Sequence, residues 1–186
     1  MYLYKALRPT PQLSFTVREL GCHSGIVITA SHNPREYNGY KVYWVDGSQV
    51  VAPHDKNIVA EVNAITNVKD IKFKGVKKRI KMIGEVLDKK YLKAVKSIAV
   101  SPRIIKKQKD LKIVYSSIHG TGITMVPPAL AQLGFENVTI VQEQATPDGN
   151  FPTVIYPNPE EKEAMSLALK KAQEIDADLV IATDPD

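Results

Sequence analysis

The sequence lacks the features that several classes of protein require. It has one cysteine, Cys22, and one tryptophan among 186 residues. A lone cysteine excludes an intrachain disulfide and a cysteine-rich zinc site. No apolar run approaches the roughly 18 residues of a membrane-spanning helix, and Met1–Lys5 lacks the basic and then apolar pattern of a signal peptide. We therefore expect a cytoplasmic globular protein without a membrane segment.

Charge is distributed unevenly along the chain. The net charge is +5, yet residues 69–109 hold 15 Lys and Arg against 3 Asp and Glu. Such a segment would attract a polyanion. Apolar residues between Glu85 and Ala99 recur at helical intervals, however, which favours a helix with a lysine-rich solvated face. We interpret residues 69–109 as a basic connector that contains a helix, and keep a polyanion- or nucleic-acid-binding module as the alternative function.

Strand and helix patterns alternate on both sides of this connector. The predicted strands are Tyr2–Ala6, Gly25–Thr29, Tyr40–Val45, Leu111–Tyr115, Val138–Val141 and Asp178–Ala182, and the predicted helices are Pro11–Leu20, Pro53–Ile65, Glu85–Ala99, Val126–Leu133 and Glu160–Ile175. Alternation of this kind predicts an α/β fold of two mixed, mostly parallel sheets with helices on both faces, joined by the basic helical connector. We place the two domains at residues 1–80 and 81–186.

The stretch after the second predicted strand contains the residues of a tight, exposed loop. Ser31 lies in the string Thr-Ala-Ser-His-Asn-Pro at 29–34, and Asn38 and Gly39 follow. Asn-Pro and Asn-Gly pairs are typical of turns, so the Ser31 hydroxyl is expected to face outward. Taken alone, a neighbouring Ser31 and His32 favour an ordinary turn. A serine hydrolase is a poor alternative, because the G-x-S-x-G elbow is missing and adjacent residues do not by themselves give the base geometry of a triad.

The wider pattern changes this interpretation. The string at 29–34, with Asn-Gly-Tyr-Lys at 38–41, closely resembles the active-serine loop of the α-D-phosphohexomutase superfamily. His-Gly-Thr-Gly at 119–122 is similar to the glycine-containing loop of that family's second domain, and Asp-Pro-Asp at 184–186 resembles the opening of its magnesium loop. The residues around the serine and the proline between the aspartates resemble the phosphoglucomutase, phosphomannomutase and phosphopentomutase branches more than the phosphoglucosamine branch.

The resemblance implies a phosphotransfer chemistry for these residues. A phosphoryl group would move between two hydroxyls of a hexose or pentose phosphate through a phosphoserine at Ser31 and a sugar bisphosphate intermediate. A phosphoserine carries a charge of about −1.5 to −2 near neutral pH, and Mg²⁺ bound by Ser31, Asp184 and Asp186 would counter it. Lys41 would be a cation or an acid/base at the phosphoryl group. His32 would donate a hydrogen bond to a phosphate oxygen or help to transfer a proton.

Asn33 and His119 complete the implied phosphate-binding set, with Asn33 acting chiefly by shaping its loop. The segment at 119–122 lies between a predicted strand and a predicted helix, so its N–H groups are expected to form an anion-facing concavity. The alternative is a helix-entry turn whose glycines adopt a positive φ.

The resemblance also implies that parts of the enzyme lie outside this sequence. The chain corresponds to the later part of the family's first domain and most of its second. The family's third metal carboxylate would come two residues beyond Asp186, and the sugar-recognition and phosphate-binding loops belong to two further domains.

We therefore expect the purified 186-residue chain to show no phosphoglucomutase turnover, and to bind Mg²⁺ more weakly than a site with three carboxylates. A coupled assay of glucose 6-phosphate formation from glucose 1-phosphate checks the first expectation. Robust turnover by this chain alone would contradict it.

Overall fold

The computed structural model describes every residue from Met1 to Asp186. The strands are β1 (Tyr2–Tyr4), β2 (Gly25–Ile28), β3 (Tyr40–Tyr43), β4 (Lys81–Ile83), β5 (Ile113–Ser116), β6 (Val138–Ile140) and β7 (Leu179–Ala182). The helices are α1 (Thr10–Glu19), α2 (His54–Asn63), α3 (Glu85–Ser97), α4 (Pro102–Lys107), α5 (Val126–Leu133) and α6 (Lys162–Ile175). None of these helices has the length and apolar character needed to cross a bilayer.

The predicted α/β class is confirmed, and the strands divide into three small sheets rather than two. Strands β1 and β4 form one sheet, β2 and β3 a second, and the third has the order β6-β5-β7. Pairing is parallel in the first and third sheets and antiparallel between β2 and β3. The antiparallel pair arises because a loop at 29–39, with no crossover helix, joins β2 directly to β3.

The basic segment 69–109 is more than a connector. It contains the predicted helix as α3, and also β4 and α4, which the sequence pattern did not reveal. Strand β4 pairs with β1 at the start of the chain, Leu3 opposite Met82. A three-residue strand that begins with a lysine carries no periodic signal, so this pairing is visible only in the folded chain.

Strand β5 forms the best-buried part of the fold. All four of its residues, Ile113–Ser116, are buried. A central strand of a parallel sheet is apolar over most of its length because both of its faces are covered. Helix α6 packs against β5 and β7, and its fully buried residues on this side are the small Ala164 and Ala168, which let the helix approach the sheet closely.

Parallel pairing brings the ends of β5 and β7 together. Ser116 at the end of β5 lies opposite Ala182 at the end of β7. The loops that follow these strands, at 117–122 and 183–186, therefore begin side by side. Ligands of open α/β sheets bind at this carboxyl edge.

Helix α1 links the first half of the chain to the second. One part of α1 packs against β2 and another against α3. Three side-chain pairs join α1 to α3: Gln12 with Asp88, Phe15 edge-to-face with Tyr91, and Glu19 with Lys90. Arg8, two residues before the helix, adds a two-pronged ion pair with Asp88, in which Nε lies 2.8 Å from Oδ1 and Nη2 lies 2.6 Å from Oδ2.

The Arg8–Asp88 pair predicts a pH dependence of stability. Hydrogen bonds from Arg8 lower the pKa of Asp88 by more than its burial raises it. The stabilisation is therefore complete above the ordinary carboxyl pKa of about 4, and is lost as the pH falls through the lower pKa of the folded state. We expect Asp88→Asn to reduce the free energy of unfolding at pH 7 by about 2 kcal/mol and to flatten its decline below pH 4, as measured by urea unfolding across a pH series.

The matched control is Glu174→Gln, which removes the carboxylate of the exposed Lys171–Glu174 pair. Exposed pairs contribute little, so this variant should follow the wild-type pH curve. An Asp88→Asn curve as steep as wild type below pH 4 would contradict the assignment.

Candidate functional site

The loop between β2 and β3 presents Ser31 in a strained backbone conformation. Ser31 has a φ of 58°, in the left-handed region that residues with a side chain rarely adopt. Its N–H donates to the Thr29 hydroxyl at 2.9 Å, and the Asn33 side-chain amide donates to the Ala30 carbonyl at 3.0 Å. Asn33 thus shapes the loop from within. Strain of this kind is concentrated at functional sites.

Two carboxylates from the far end of the chain reach the Ser31 hydroxyl. Its Oγ lies 2.7 Å from Asp184 Oδ2 and 3.1 Å from Asp186 Oδ1. Asp184 and Asp186 follow β7, whereas Ser31 follows β2, so the site is built where the two halves of the chain meet. The three side chains that the sequence analysis assigned to a metal therefore lie together.

Two further predicted residues contact the carboxylates. Lys41 on β3 places its Nζ 2.6 Å from Asp186 Oδ2, and His32 Nδ1 lies 3.2 Å from Asp184 Oδ1. Burial raises the pKa of Asp186, but hydrogen bonds from Lys41 and then Ser31, together with the charge of Lys41, outweigh it and leave this pKa below its usual value. Asp186 is therefore ionised at neutral pH.

The loop after β5 supports the loop at 183–186, here called the acidic loop, through close main-chain contact. Gly120 lies directly against Pro185, and a Cβ at this position would collide with the Pro185 main chain. The adjacent Thr121 N–H donates to the Pro185 carbonyl at 2.7 Å. Gly120 has a φ of −99°, so a glycine is needed here for the close approach and not for a left-handed conformation.

The predicted anion-facing concavity at 119–122 is not formed. The N–H groups of three successive residues are used within the protein: His119 donates to Gln144, Gly120 to Ser117 and Thr121 to Pro185. The alternative prediction of glycines at positive φ is also wrong, because the positive values fall on Ile118 and His119. The loop holds its neighbours in place and offers no free row of N–H donors.

His119 has a buried ring whose two nitrogens contact protein groups. Nε2 lies 2.9 Å from the Thr153 hydroxyl, and Nδ1 lies 3.3 Å from the Thr146 carbonyl. In this structure both ring nitrogens face protein groups, and a role of His119 in phosphate binding stays a prediction. The partners come from a loop that follows β6, which the sequence pattern around His119 did not indicate.

A cavity of about 400 Å³ opens beside Ser31. It is lined by the serine loop, by residues 119–121 and by the turn at 147–151. Arg8 and Arg35 contribute its arginines; Arg8 is paired with Asp88, whereas Arg35 forms no ion pair. Arg35 was not among the residues predicted from the sequence. Its position four residues after Ser31 suggests a place near the serine. Arginines in exposed loops usually face only solvent, however, so the sequence does not distinguish Arg35 from any other loop arginine.

The donor set at Ser31 fits a hard divalent cation. The hydroxyl has one hydrogen and faces two carboxylate oxygens, so it can satisfy only one of them at a time. A cation would satisfy both, and oxygen ligands are those that Mg²⁺ prefers. No cluster of three or more His, Cys, Asp or Glu side chains suited to a metal occurs in the chain. The donors available at this position are therefore two carboxylates and one hydroxyl.

Two family models match the chain. Residues 1–69 match the model described as phosphoglucomutase/phosphomannomutase, alpha/beta/alpha domain I, and residues 89–186 match the model for domain II of the same description. The predicted boundary between residues 80 and 81 lies between the two matched ranges and stays a prediction.

Individual proteins resemble the whole chain. It is 40% identical over 190 residues to a Staphylococcus haemolyticus phosphoglucomutase and 38% identical over 190 residues to a Haemophilus influenzae protein named "Probable phosphomannomutase"; both alignments cover 100% of this chain. A crystal structure named as a "putative phosphomannomutase" of Thermus thermophilus superposes with a TM-score of 0.80 at 26% identity, covering 99% of this chain and 39% of that one. The chain spans only 34% and 38% of the two curated relatives.

The contact between Gly120 and Pro185 predicts the effect of adding one methyl group. Because the Cβ of Gly120→Ala would meet main-chain atoms that cannot move away cheaply, we expect the variant to lose about 1–3 kcal/mol in free energy of unfolding. Urea unfolding followed by circular dichroism measures this loss.

Gly75→Ala is the matched control, since a Cβ there has nothing within 4 Å. Its free energy of unfolding should stay within about 0.5 kcal/mol of wild type. Equal stability of the two variants would show that the loops do not touch as described.

Proposed function

Because the chain belongs to the phosphoglucomutase/phosphomannomutase family, we propose that it supplies the phosphoryl-carrying serine of a sugar phosphate mutase. The observation that carries the proposal is the convergence of the Ser31 hydroxyl with Asp184 and Asp186 beside a cavity. A serine without a function in an exposed loop needs neither two neighbouring carboxylates nor a strained backbone.

The proposed reaction has two transfers. In the first, a hydroxyl of a hexose or pentose phosphate attacks the phosphorus of phosphorylated Ser31. The new O–P bond forms as the bond to Ser31 Oγ breaks, and the proton of the attacking hydroxyl ends on the released Ser31 Oγ, which leaves a sugar bisphosphate and a free serine. In the second, Ser31 Oγ attacks the other phosphate of the bisphosphate, and the isomeric sugar monophosphate leaves. Such transfers depend mainly on positioning and on charge neutralisation.

Each side chain at the site has a defined part in this proposal. Asp184 accepts a 2.7 Å hydrogen bond from the Ser31 hydroxyl and so orients Oγ. Lys41 holds Asp186 through its 2.6 Å contact and adds positive charge next to the phosphoryl group. His32 orients Asp184 and lies within reach of a phosphoserine oxygen.

Mg²⁺ is the proposed cofactor, held by Ser31, Asp184 and Asp186. When bound, it would supply charge neutralisation for the phosphoryl oxygens. The unpaired Arg35 guanidinium suits the second phosphate of a sugar bisphosphate, because its planar donors match phosphate oxygens.

Substrate identity and location are proposed only at the level of class. The relatives include a phosphoglucomutase and a probable phosphomannomutase, so a sugar monophosphate is the proposed substrate class. The other parts of the longer enzyme are its proposed partners, and a cytoplasmic location is proposed with them.

The polyanion-binding alternative has no support, because α3 of the basic segment buries Leu87 and Leu92 in the fold.

Replacing the serine tests the proposal in the full-length protein. We expect Ser31→Ala to abolish mutase turnover and to remove a mass increment of one phosphate that wild type shows by intact-mass spectrometry. Wild-type turnover by Ser31→Ala would overturn the proposed carrier.

Ser31→Gly serves as the matched variant for folding. It also lacks the hydroxyl, but a glycine adopts the φ of 58° without strain. We expect it to be as inactive as Ser31→Ala and more stable by about 1 kcal/mol in thermal unfolding. Inactivity of both variants in folded protein separates loss of chemistry from loss of structure.

A further inference from the structure

We infer that Arg8 and Asp88 are positioning residues which fix the start of α1 and thereby hold the acidic loop in register with Ser31. This inference rests on the proposed function for its meaning in catalysis. The structural part stands on three sets of contacts around α1.

The first set anchors the start of α1 to α3. Asp88 accepts two hydrogen bonds from Arg8 and a third, at 2.6 Å, from Gln12 Nε2. The side chains of Arg8 and Asp88 are 15% and 13% exposed, and Gln12 is fully buried. A partly buried, two-pronged arginine–carboxylate pair has a narrow range of geometries, so it holds the chain at Arg8 in one place.

The second set of contacts connects the chain at Arg8 to the acidic loop. Two residues after Arg8, the Thr10 N–H donates to the main-chain carbonyl of Asp186 at 3.0 Å. Pro9 lies between them with a φ of −67°, which its ring keeps nearly constant. A shift of Arg8 would therefore move the donor that holds Asp186.

The third set connects the same helix to the serine. Leu13 and Val17 of α1 lie against Gly25 at the start of β2, and Val17 is buried. Strand β2 ends three residues before Ser31. Helix α1 thus contacts both the strand that carries the hydroxyl and the loop that carries the carboxylate, and the Arg8–Asp88 pair sets its position.

The chain contains a matched pair for comparison. Glu19 and Lys90 also join α1 to α3, with a 2.5 Å ion pair, but at the end of α1 distant in sequence from Thr10. Neither residue contacts the site around Ser31. This pair is more exposed than Arg8–Asp88, so Glu19→Gln controls for the loss of an interhelical carboxylate and not for an equal loss of stability.

Amide hydrogen exchange of the full-length protein at pH 7 tests the inference without reference to activity. Peptides that span Thr10 isolate its amide well, because its neighbours Pro9 and Pro11 have none. We expect Asp88→Asn to speed exchange at Thr10 by about 3- to 30-fold, Arg8→Lys to have a smaller effect, and Glu19→Gln to change it by less than twofold. Unchanged exchange in Asp88→Asn, or equal changes in Asp88→Asn and Glu19→Gln, would overturn the inference.

Kinetics on the same variants then separate the inference from the proposed function. At a temperature where all variants are folded, Asp88→Asn should lower kcat by about 3- to 30-fold with KM within about twofold of wild type, and Glu19→Gln should leave both unchanged. A wild-type kcat in Asp88→Asn would overturn the positioning role. Absence of turnover in the wild-type enzyme would overturn the proposed function and leave the exchange result valid.

Discussion

The contact between the Ser31 hydroxyl and the carboxylates of Asp184 and Asp186 is the interaction around which this structure is organised. It joins residues 153 and 155 positions apart, and it places two negative groups around one hydroxyl. Like charges in such proximity need compensation, which Lys41 supplies in part.

Strand β5 and the loop that follows it support this site. Tyr115 on the buried strand β5 contacts the Thr183 hydroxyl at 2.9 Å, just before the acidic loop, and burial raises the pKa of Tyr115 to about 12, so it stays protonated. Gly120 packs on Pro185. The acidic loop therefore rests on main chain and on a buried phenol. Preorganised support of this kind suits phosphoryl transfer, in which positioning does most of the work.

The sequence predicted those elements that depend on residues close together in the chain. Helix Val126–Leu133 has the predicted bounds, because the prolines at its start are read directly from sequence. In the structure Gly134 ends the helix in the left-handed conformation. Strand β4 and the ring contacts of His119 were not predictable. Their partners, β1 and the residues Thr146 and Thr153, are set by the folded chain and leave no pattern near the residues concerned.

The sequence by itself determined the alternation of strands and helices and the identity of Ser31, Asp184 and Asp186 as candidates, because periodicity, turn residues and motif strings are properties of short segments. Only the tertiary structure decided that these residues converge, that residues 119–122 support a loop instead of an anion, and that Arg35 lines the cavity. These facts depend on how β2, β5 and β7 are brought together across the chain, and distances between distant segments are not encoded in any local pattern.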